Sequence, residues 1–271
     1  MELKDKKIVI WCGDAPNQRA LACKIAAQFN LAGIVLDEHK VTASKHKQPS
    51  FFQKLVDRFR FAKIYGAWKN LMGYYNSQYP SWPNVPVLRV PTVNDERTAL
   101  FTKEQGADLV VVSGTALIKK PLVSLQVPAG IINLHTGLSP YVKGGPNCTN
   151  WCIANNEWHL VGNTIMWLNA GIDSGNIITT ERLDIRQAKS LNEAHLRVME
   201  HAHDLYIRCI GYLLSTSGTP NSIPQNSIAE GNLYLTKMWT AAQRKALLAN
   251  WRSRANNRNF PDIKTVPLPN A

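Results

Sequence analysis

The sequence predicts an α/β fold: a doubly wound, mostly parallel sheet with helices on both faces, followed by a small C-terminal extension. Three observations carry this. Five short apolar runs, at 7–13, 31–36, 85–90, 108–113 and 130–135, read as strands buried on both faces, as parallel strands are. Helical patterns separate several of them, so the connections are crossovers. Polar residues and glycines close three of the runs: Cys12-Gly13-Asp14, Ser113-Gly114-Thr115 and Asn133-Leu134-His135. Functional groups of such sheets collect at these carboxyl ends.

Each element has its own signal. KIVIWCG at 7–13 is the first strand, and 17–30 is a helix with Ala20, Leu21, Ile25 and Ala26 on one side. LAGIVL at 31–36 and residues 85–90 are the next two strands. Asn94 or Asp95 can cap a helix running to Gln105. DLVVVS and GIINLH are the fourth and fifth strands. After residue 146 the pattern changes: 162–169 and 175–185 read as strands around a Gly-rich loop, 170–175. Ser190 and Glu193 form a capping box for a helix over 190–214. Residues 215–228, rich in Ser, Thr, Pro, Asn and Gly, read as a linker. A strand near 233–235, a helix near 240–251 and a frayed last dozen residues follow.

At 271 residues, with 45% hydrophobic and 18% charged residues, the chain can bury a core unaided and is neither disordered nor fibrous. No apolar run reaches the ~18 residues of a transmembrane helix, and the start lacks the sections of a signal peptide. Five scattered cysteines, Cys12, Cys23, Cys148, Cys152 and Cys209, make no metal-binding spacing. Cys148 and Cys152 read as core thiols, and a reducing cytoplasm is the expected location. There is no GxGxxG after the first strand and no Walker sequence, which argues against nicotinamide and nucleoside-triphosphate enzymes.

The net charge of +12 is concentrated. Residues 39–75 hold eight Lys or Arg and only Asp57, and 236–260 hold six and no acid. Two basic zones fit an anionic partner: a nucleotide diphosphate, a carboxylate-bearing cofactor, RNA or an anionic membrane. Residues 51–82 also contain ten of the 23 aromatics. This segment could stack bases, lie on a membrane, form an interface, or pack on its own domain as an amphipathic helical excursion. An exposed aromatic cluster of this kind predicts a homodimer.

The chemistry concentrates in Asn133, His135, Pro140 and Gly144, followed by Gly162-Asn163-Thr164 and Gly171-Ile172-Asp173-Ser174-Gly175. Asn133 and His135 are two apart on a strand, so their side chains point the same way. An amide donor beside an imidazole can hold a carbonyl oxygen as it becomes an oxyanion. Asp173, on a glycine-flanked loop, can raise the His pKa or carry protons. With no Ser or Cys in a nucleophile setting, direct attack of a substrate amine on a carbonyl is the reaction these groups suit.

This set, in this order, resembles the 10-formyltetrahydrofolate-dependent formyltransferases. The motif covers roughly 108–180, and the order of elements extends the resemblance over about 1–215. It implies a Rossmann-like catalytic domain over 1–215 with a basic aromatic insertion at about 45–82. Residues 216–271 would be the linker and a small basic extension. It implies that Asn133 bonds the formyl oxygen, that His135 acts as acid or electrostatic partner, and that Asp173 orients or charges His135 and relays the amine proton. The pteridine would contact Thr115, Ala116, Leu117 and Ile118 on one side and Asn169 and Gly171 on the other. Cys12, Gly13, Asp14, Asn17 and Lys143 would contact the acceptor. No metal is implied.

Two departures stand out. Thr136-Gly137 occupies a place where members often have Pro-Ser, and Met166 stands where many have His. They suggest a subfamily with a different acceptor. Among the family's acceptors, the short C-terminal extension with its LYLTK run and basic helix looks more like the sugar N-formyltransferases. Their acceptors are nucleotide-linked amino sugars for surface polysaccharide, whose diphosphate suits a basic zone. An amino-acid or hydroxamate precursor or methionyl-tRNA is the alternative acceptor. A different class also stands open: a non-catalytic protein on the same fold that binds nucleic acid or a membrane surface. Whether the aromatic insertion borders the cleft near His135 separates these classes.

Overall fold

The computed structural model describes residues 5–39, 51–145, 147–216, 218, 220–257 and 260–269, and of residues 51–54 the backbone alone. Lys40, Lys45, Lys47 and the side chains of Phe51 and Phe52, part of the basic aromatic segment, lie outside the described residues.

Strand β1 (Lys7–Gly13) shows why the strand runs are unbroken. Ile8, Ile10 and Cys12 enter one core, and Val9 and Trp11 enter another on the opposite face. Helix α1 (Pro16–Gln28), begun by proline, and the 25-residue α7 (Leu191–Ser215) cover the first face through Leu21, Ile25, Leu205 and Ile210. Helices α4 (Glu96–Glu104) and α5 (Lys120–Val123) lie by the second, with Phe101 and Leu122 among its packed residues. A seven-stranded sheet results, in the order β3-β2-β1-β4-β5-β7-β8. Strands β2 (Asn30–Asp37), β3 (Val87–Val90), β4 (Leu109–Ser113) and β5 (Ile131–His135) extend the parallel part. Strands β7 (Gly162–Trp167) and β8 (Ile177–Arg182) add an antiparallel edge. The order reverses between β1 and β4, which opens a crevice at their carboxyl ends.

Caps follow the sequence with small shifts. Asp95, not Asn94, caps α4 by accepting from Arg97 N. Ser190 Oγ accepts from Glu193 N as a capping box requires, but Glu193 reaches Lys189 N, one residue further out.

The aromatic segment forms α2 (Phe51–Arg60) and α3 (Ala62–Gln78). Helix α3 buries Ile64, Ala67, Leu71 and Tyr75. Tyr75 Oη donates to Glu200 of α7 at 2.7 Å, and Lys24 of α1 reaches the same carboxylate at 2.8 Å. The segment is thus a helical excursion held to its own fold by one face. Phe59, 77% exposed, points away from it. Among the described residues no helix is long and apolar enough to cross a membrane.

The C-terminal part is more integrated than a linker and frayed tail. Strand β6 (Val142–Gly144) pairs with β9 (Asn232–Tyr234), and α8 (Ala241–Ser253) packs on α6 (Cys148–Ala154), where Asn250 donates to two α6 carbonyls. Ile223, in the supposed linker, forms a two-bond bridge with Ile177. Val266 is buried beside β8, accepting from Thr180 N at 2.7 Å and donating to Thr180 Oγ1 at 2.8 Å. An apolar side chain and an unpaired sheet edge order a tail whose composition reads as frayed.

One buried phenol stitches the sheet where it begins to open. Tyr206 Oη accepts from Val112 N at 2.8 Å, and its single proton faces the carbonyls of Ile132 (2.8 Å) and Val112 (3.1 Å). Tyr206→Phe leaves these groups unpaired in the core and should cost about 1–3 kcal/mol. Urea unfolding measures this, and an unchanged midpoint would show that the seam holds without the hydroxyl.

Candidate active site

A cleft of about 730 Å³ opens at the carboxyl ends of the central strands. That is within the ~300–1,000 Å³ of ordinary ligand pockets. Asn133, His135 and Asp173 all border it. Asn133 pairs in register with Val112 on one side and Met166 on the other, while His135, past the end of the β4 pairing, is held by Thr164 of β7 alone. Among the described residues the Asn133 side chain has no hydrogen-bond partner, so its amide is available to a ligand.

His135 is buried at 7% exposure. Its Nδ1 lies 3.3 Å from Asp173 Oδ2, and its Nε2 lies 3.0 Å from the Val142 carbonyl oxygen. Both neighbours only accept, so both ring nitrogens are best satisfied carrying protons. Burial works against the charge. The Asp173 carboxylate, Cys148 and the Val142 carbonyl outweigh it and raise the pKa to about 10. Asp173 is itself held: Oδ2 accepts from Gly144 N at 2.9 Å. Its backbone is left-handed, at φ 45°, unusual for a residue with a side chain.

The surrounding motif residues build this arrangement. Thr164 Oγ1 donates to the Gly137 carbonyl at 2.7 Å and accepts from Ser139 N at 2.9 Å, tying down the loop after His135. Gly137 explains one departure: a Cβ there would sit 2.3 Å from His135 Nε2 and 2.9 Å from Cys148 Sγ. The glycine is a close approach over the imidazole. Cys148, read as a core thiol, is buried and 3.6 Å from Nε2, so it is also a neighbour of the site.

Thr115, Ala116, Leu117 and Ile118 border the cleft, as do Asn169 and Gly171. Their backbone is braced: Ala116 N donates to Asp37 Oδ2 at 2.6 Å, and Asn94 bonds both the Leu117 carbonyl and Lys119 N. Leu117 is 55% exposed, whereas Ile118 turns into the core. The expected acceptor residues divide. Asn17 borders the cleft. Cys12, Gly13, Asp14 and Lys143 do not border it among the described residues. Cys12 faces the core by strand alternation, and burial pushes its thiol pKa up. Gly13 packs on the Gly114 carbonyl. Asp14 is occupied by Arg89 at 2.7 Å. Lys143 alternates with the buried Val142 in β6.

Sequence reasoning missed His39, Met199 and residues 234–236, all on the lining. Trp68, 44% exposed, borders the cleft from α3, so the aromatic insertion reaches the site. Among the described residues no Lys or Arg lines the cleft. Arg89 bridges Asp14 and Glu38, and Arg244 is paired with Asp57.

The geometry gives a titration. A histidine whose folded pKa is raised contributes stability in full below ~6.5, and loses it as pH rises through the folded value. For His135 that window runs from about 6.5 to about 10. In Asp173→Asn the burial remains and the main opposing charge is gone. The His135 ring should then titrate well below the wild-type value. Ring ¹⁵N shifts followed by NMR would show this, and an unchanged titration would remove Asp173 as the source of the charge.

Comparison with known proteins agrees with this fold. The family model for formyl transferase matches residues 76–210. A methionyl-tRNA formyltransferase of Clostridium tetani is 30% identical over 139 residues, 51% of this chain and 44% of that protein. The chain thus spans about half the length of the curated relatives it matches. A sugar N-formyltransferase of Shewanella sp. FDAARGOS_354 superposes with a TM-score of 0.55 at 18% identity, covering 90% of this chain and 87% of that one. A phosphoribosylglycinamide formyltransferase of Bacillus halodurans gives a TM-score of 0.52 at 21% identity, covering 79% of this chain and 97% of that one. The matched range takes in the positions of Asn133, His135 and Asp173, and the chain belongs to the formyl transferase family.

Proposed function

We propose that the protein transfers the formyl group of 10-formyltetrahydrofolate to a primary amine, and that the amine belongs to a nucleotide-linked amino sugar. The convergence of Asn133, His135 and Asp173 in one cleft, with the Asp173 carboxylate beside the ring raising the His135 pKa, carries the first part. The lining suits the donor. Ala116, Leu117 and Leu168 offer apolar surface beside peptide groups, the chemistry a flat heteroaromatic ring requires. The donor supplies an electrophilic formyl carbonyl on nitrogen.

The amine lone pair bonds to the formyl carbon, and negative charge moves to the formyl oxygen. The free Asn133 amide donates to that oxygen. The His135 imidazolium lies beside it and offsets the charge in a site largely shielded from water. Asp173 keeps the imidazole charged. When the carbon–nitrogen bond of the donor breaks, the proton lost by the amine moves to the departing nitrogen. Among the described residues Asp173 Oδ1 has no partner, and it is the group to relay this proton.

The acceptor assignment rests on extent. The likeness to the sugar N-formyltransferases takes in 90–91% of this chain, against 78–84% for the purine enzymes. Residues 234–236, in the C-terminal part, border the cleft. Synthesis of surface polysaccharide in the cytoplasm is the setting that follows from such an acceptor. The five unpaired thiols fit that compartment.

Tetrahydrofolate release is the test, with dTDP-, UDP- and GDP-linked amino sugars, hydroxyornithine, glycinamide ribonucleotide and charged initiator tRNA as acceptors. Release with an amino-sugar nucleotide, lost in His135→Ala, is expected. Release with initiator tRNA alone would move the chain to the acceptor named for its curated relatives. Asp173→Asn should lose turnover nearly completely while folate binding stays measurable, and near-normal turnover would take Asp173 out of the mechanism.

A further inference from the structure

Asp173 can serve His135 only if its loop is held. The loop has few supports of its own. Asp173 sits in the left-handed region, and glycines flank it at 171 and 175. At Gly175 the backbone passes so near the end of β7 that a Cβ would lie 1.8 Å from the Trp167 carbonyl oxygen. Two carbonyls of this loop point inward, those of Asp173 and Gly175. A single side chain satisfies both: Gln225 Nε2 donates to Asp173 O at 2.7 Å and to Gly175 O at 2.8 Å. Gln225 is buried, and two carbonyl acceptors on one end of its amide fix which end is nitrogen. It belongs to the segment between α7 and β9, which the Ile177–Ile223 bridge straps to β8.

We propose that Gln225 is a positioning residue for the reaction: its amide clamps the 171–175 loop so that the Asp173 carboxylate stays on Nδ1 of His135. This rests on the reading of Asp173 and His135 as the reacting pair. The segment that composition marks as a linker is then part of the site, acting through another residue. It also ties the cleft-lining 234–236 to the carboxylate, because both hang from the same stretch of chain. Without the two hydrogen bonds the loop has a choice of conformations, and a displacement of an ångström at a reacting group can cost about 100-fold in rate.

The test is Gln225→Met, which keeps length and apolar bulk and removes the donor. In the folded variant the His135 ring should titrate well below the wild-type value, as in Asp173→Asn. Turnover should fall roughly 10–100-fold, with the KM for the formyl donor little changed. A folded variant whose His135 titration and turnover match the wild type would overturn the proposal. The titration needs no acceptor, so it decides the role of Gln225 even if the acceptor panel finds no substrate. Should Gln225→Met fail to fold, the wild type answers instead. Its Gln225 side-chain amide protons should exchange with solvent far more slowly than those of exposed glutamines. Exchange at the exposed rate would overturn the proposal.

Discussion

Holding a charged imidazole beside a carboxylate in a nearly dry place is the constraint on which the rest of the site depends. Removing two charges from water costs more than their attraction returns unless further hydrogen bonds complete them. Here those bonds come from the backbone. Val142 O takes the second ring nitrogen, and Gly144 N supports the Asp173 oxygen that faces the ring. Both belong to the three-residue β6, too short to define itself. Its geometry comes from pairing with β9, whose Asn232, Leu233 and Tyr234 stand against Val142, Lys143 and Gly144. The ion pair at the heart of a sheet-based site therefore depends on a strand about ninety residues later in the chain.

The sheet supplies the other half of the arrangement. The chain leaves β1 and β4 toward opposite faces of the sheet, to α1 and α5, and the crevice between their ends is where an open α/β sheet has room for a ligand. Tyr206 joins β4 to β5 through main-chain groups one residue before Asn133 and immediately beyond Val111. The strands are thus kept together up to the point where the side chains bordering the cleft begin. Asn133 can stay without a partner because nothing in its support depends on its side chain.

Legibility in the sequence follows how locally each feature is encoded. The central strands were readable because their two faces are buried in different cores, leaving uninterrupted apolar runs such as 7–13 and 109–113. Asn133 and His135 were readable because strand alternation alone puts them on one side. Strand β6 was not, since three residues carry no periodicity. Gln225 was not, since it lies among Ser, Pro and Asn that mark a linker, and its partners are fifty residues away. Val266 was hidden in the same way, as one apolar residue in a tail of prolines and asparagines. Cys12 and Asp14 stand at a strand end where function collects. Yet alternation turns the first inward, and Arg89 occupies the second.

The two basic zones take on a different meaning once their contacts are known. The segment at 51–78 and the C-terminal helix α8 look like independent additions to a minimal sheet, each charged for an anionic partner. They touch. Arg244 of α8 pairs with Asp57 of α2 at 3.0 Å, and its guanidinium lies 4.7 Å from the centre of the Phe61 ring. Phe61, Leu247 and Trp251 share one core with Val142 and Cys148. The only acid among the described residues of the first zone is thus used to hold a cation of the second, and their aromatic residues are shared with the strand that supports the ion pair. Residues reach the cleft from both places, Trp68 from the first addition and 234–236 from the stretch just before α8. A change in either one bears on the cleft from two directions: through the side chains it or its neighbouring stretch contributes to the lining, and through the core that keeps β6 against His135.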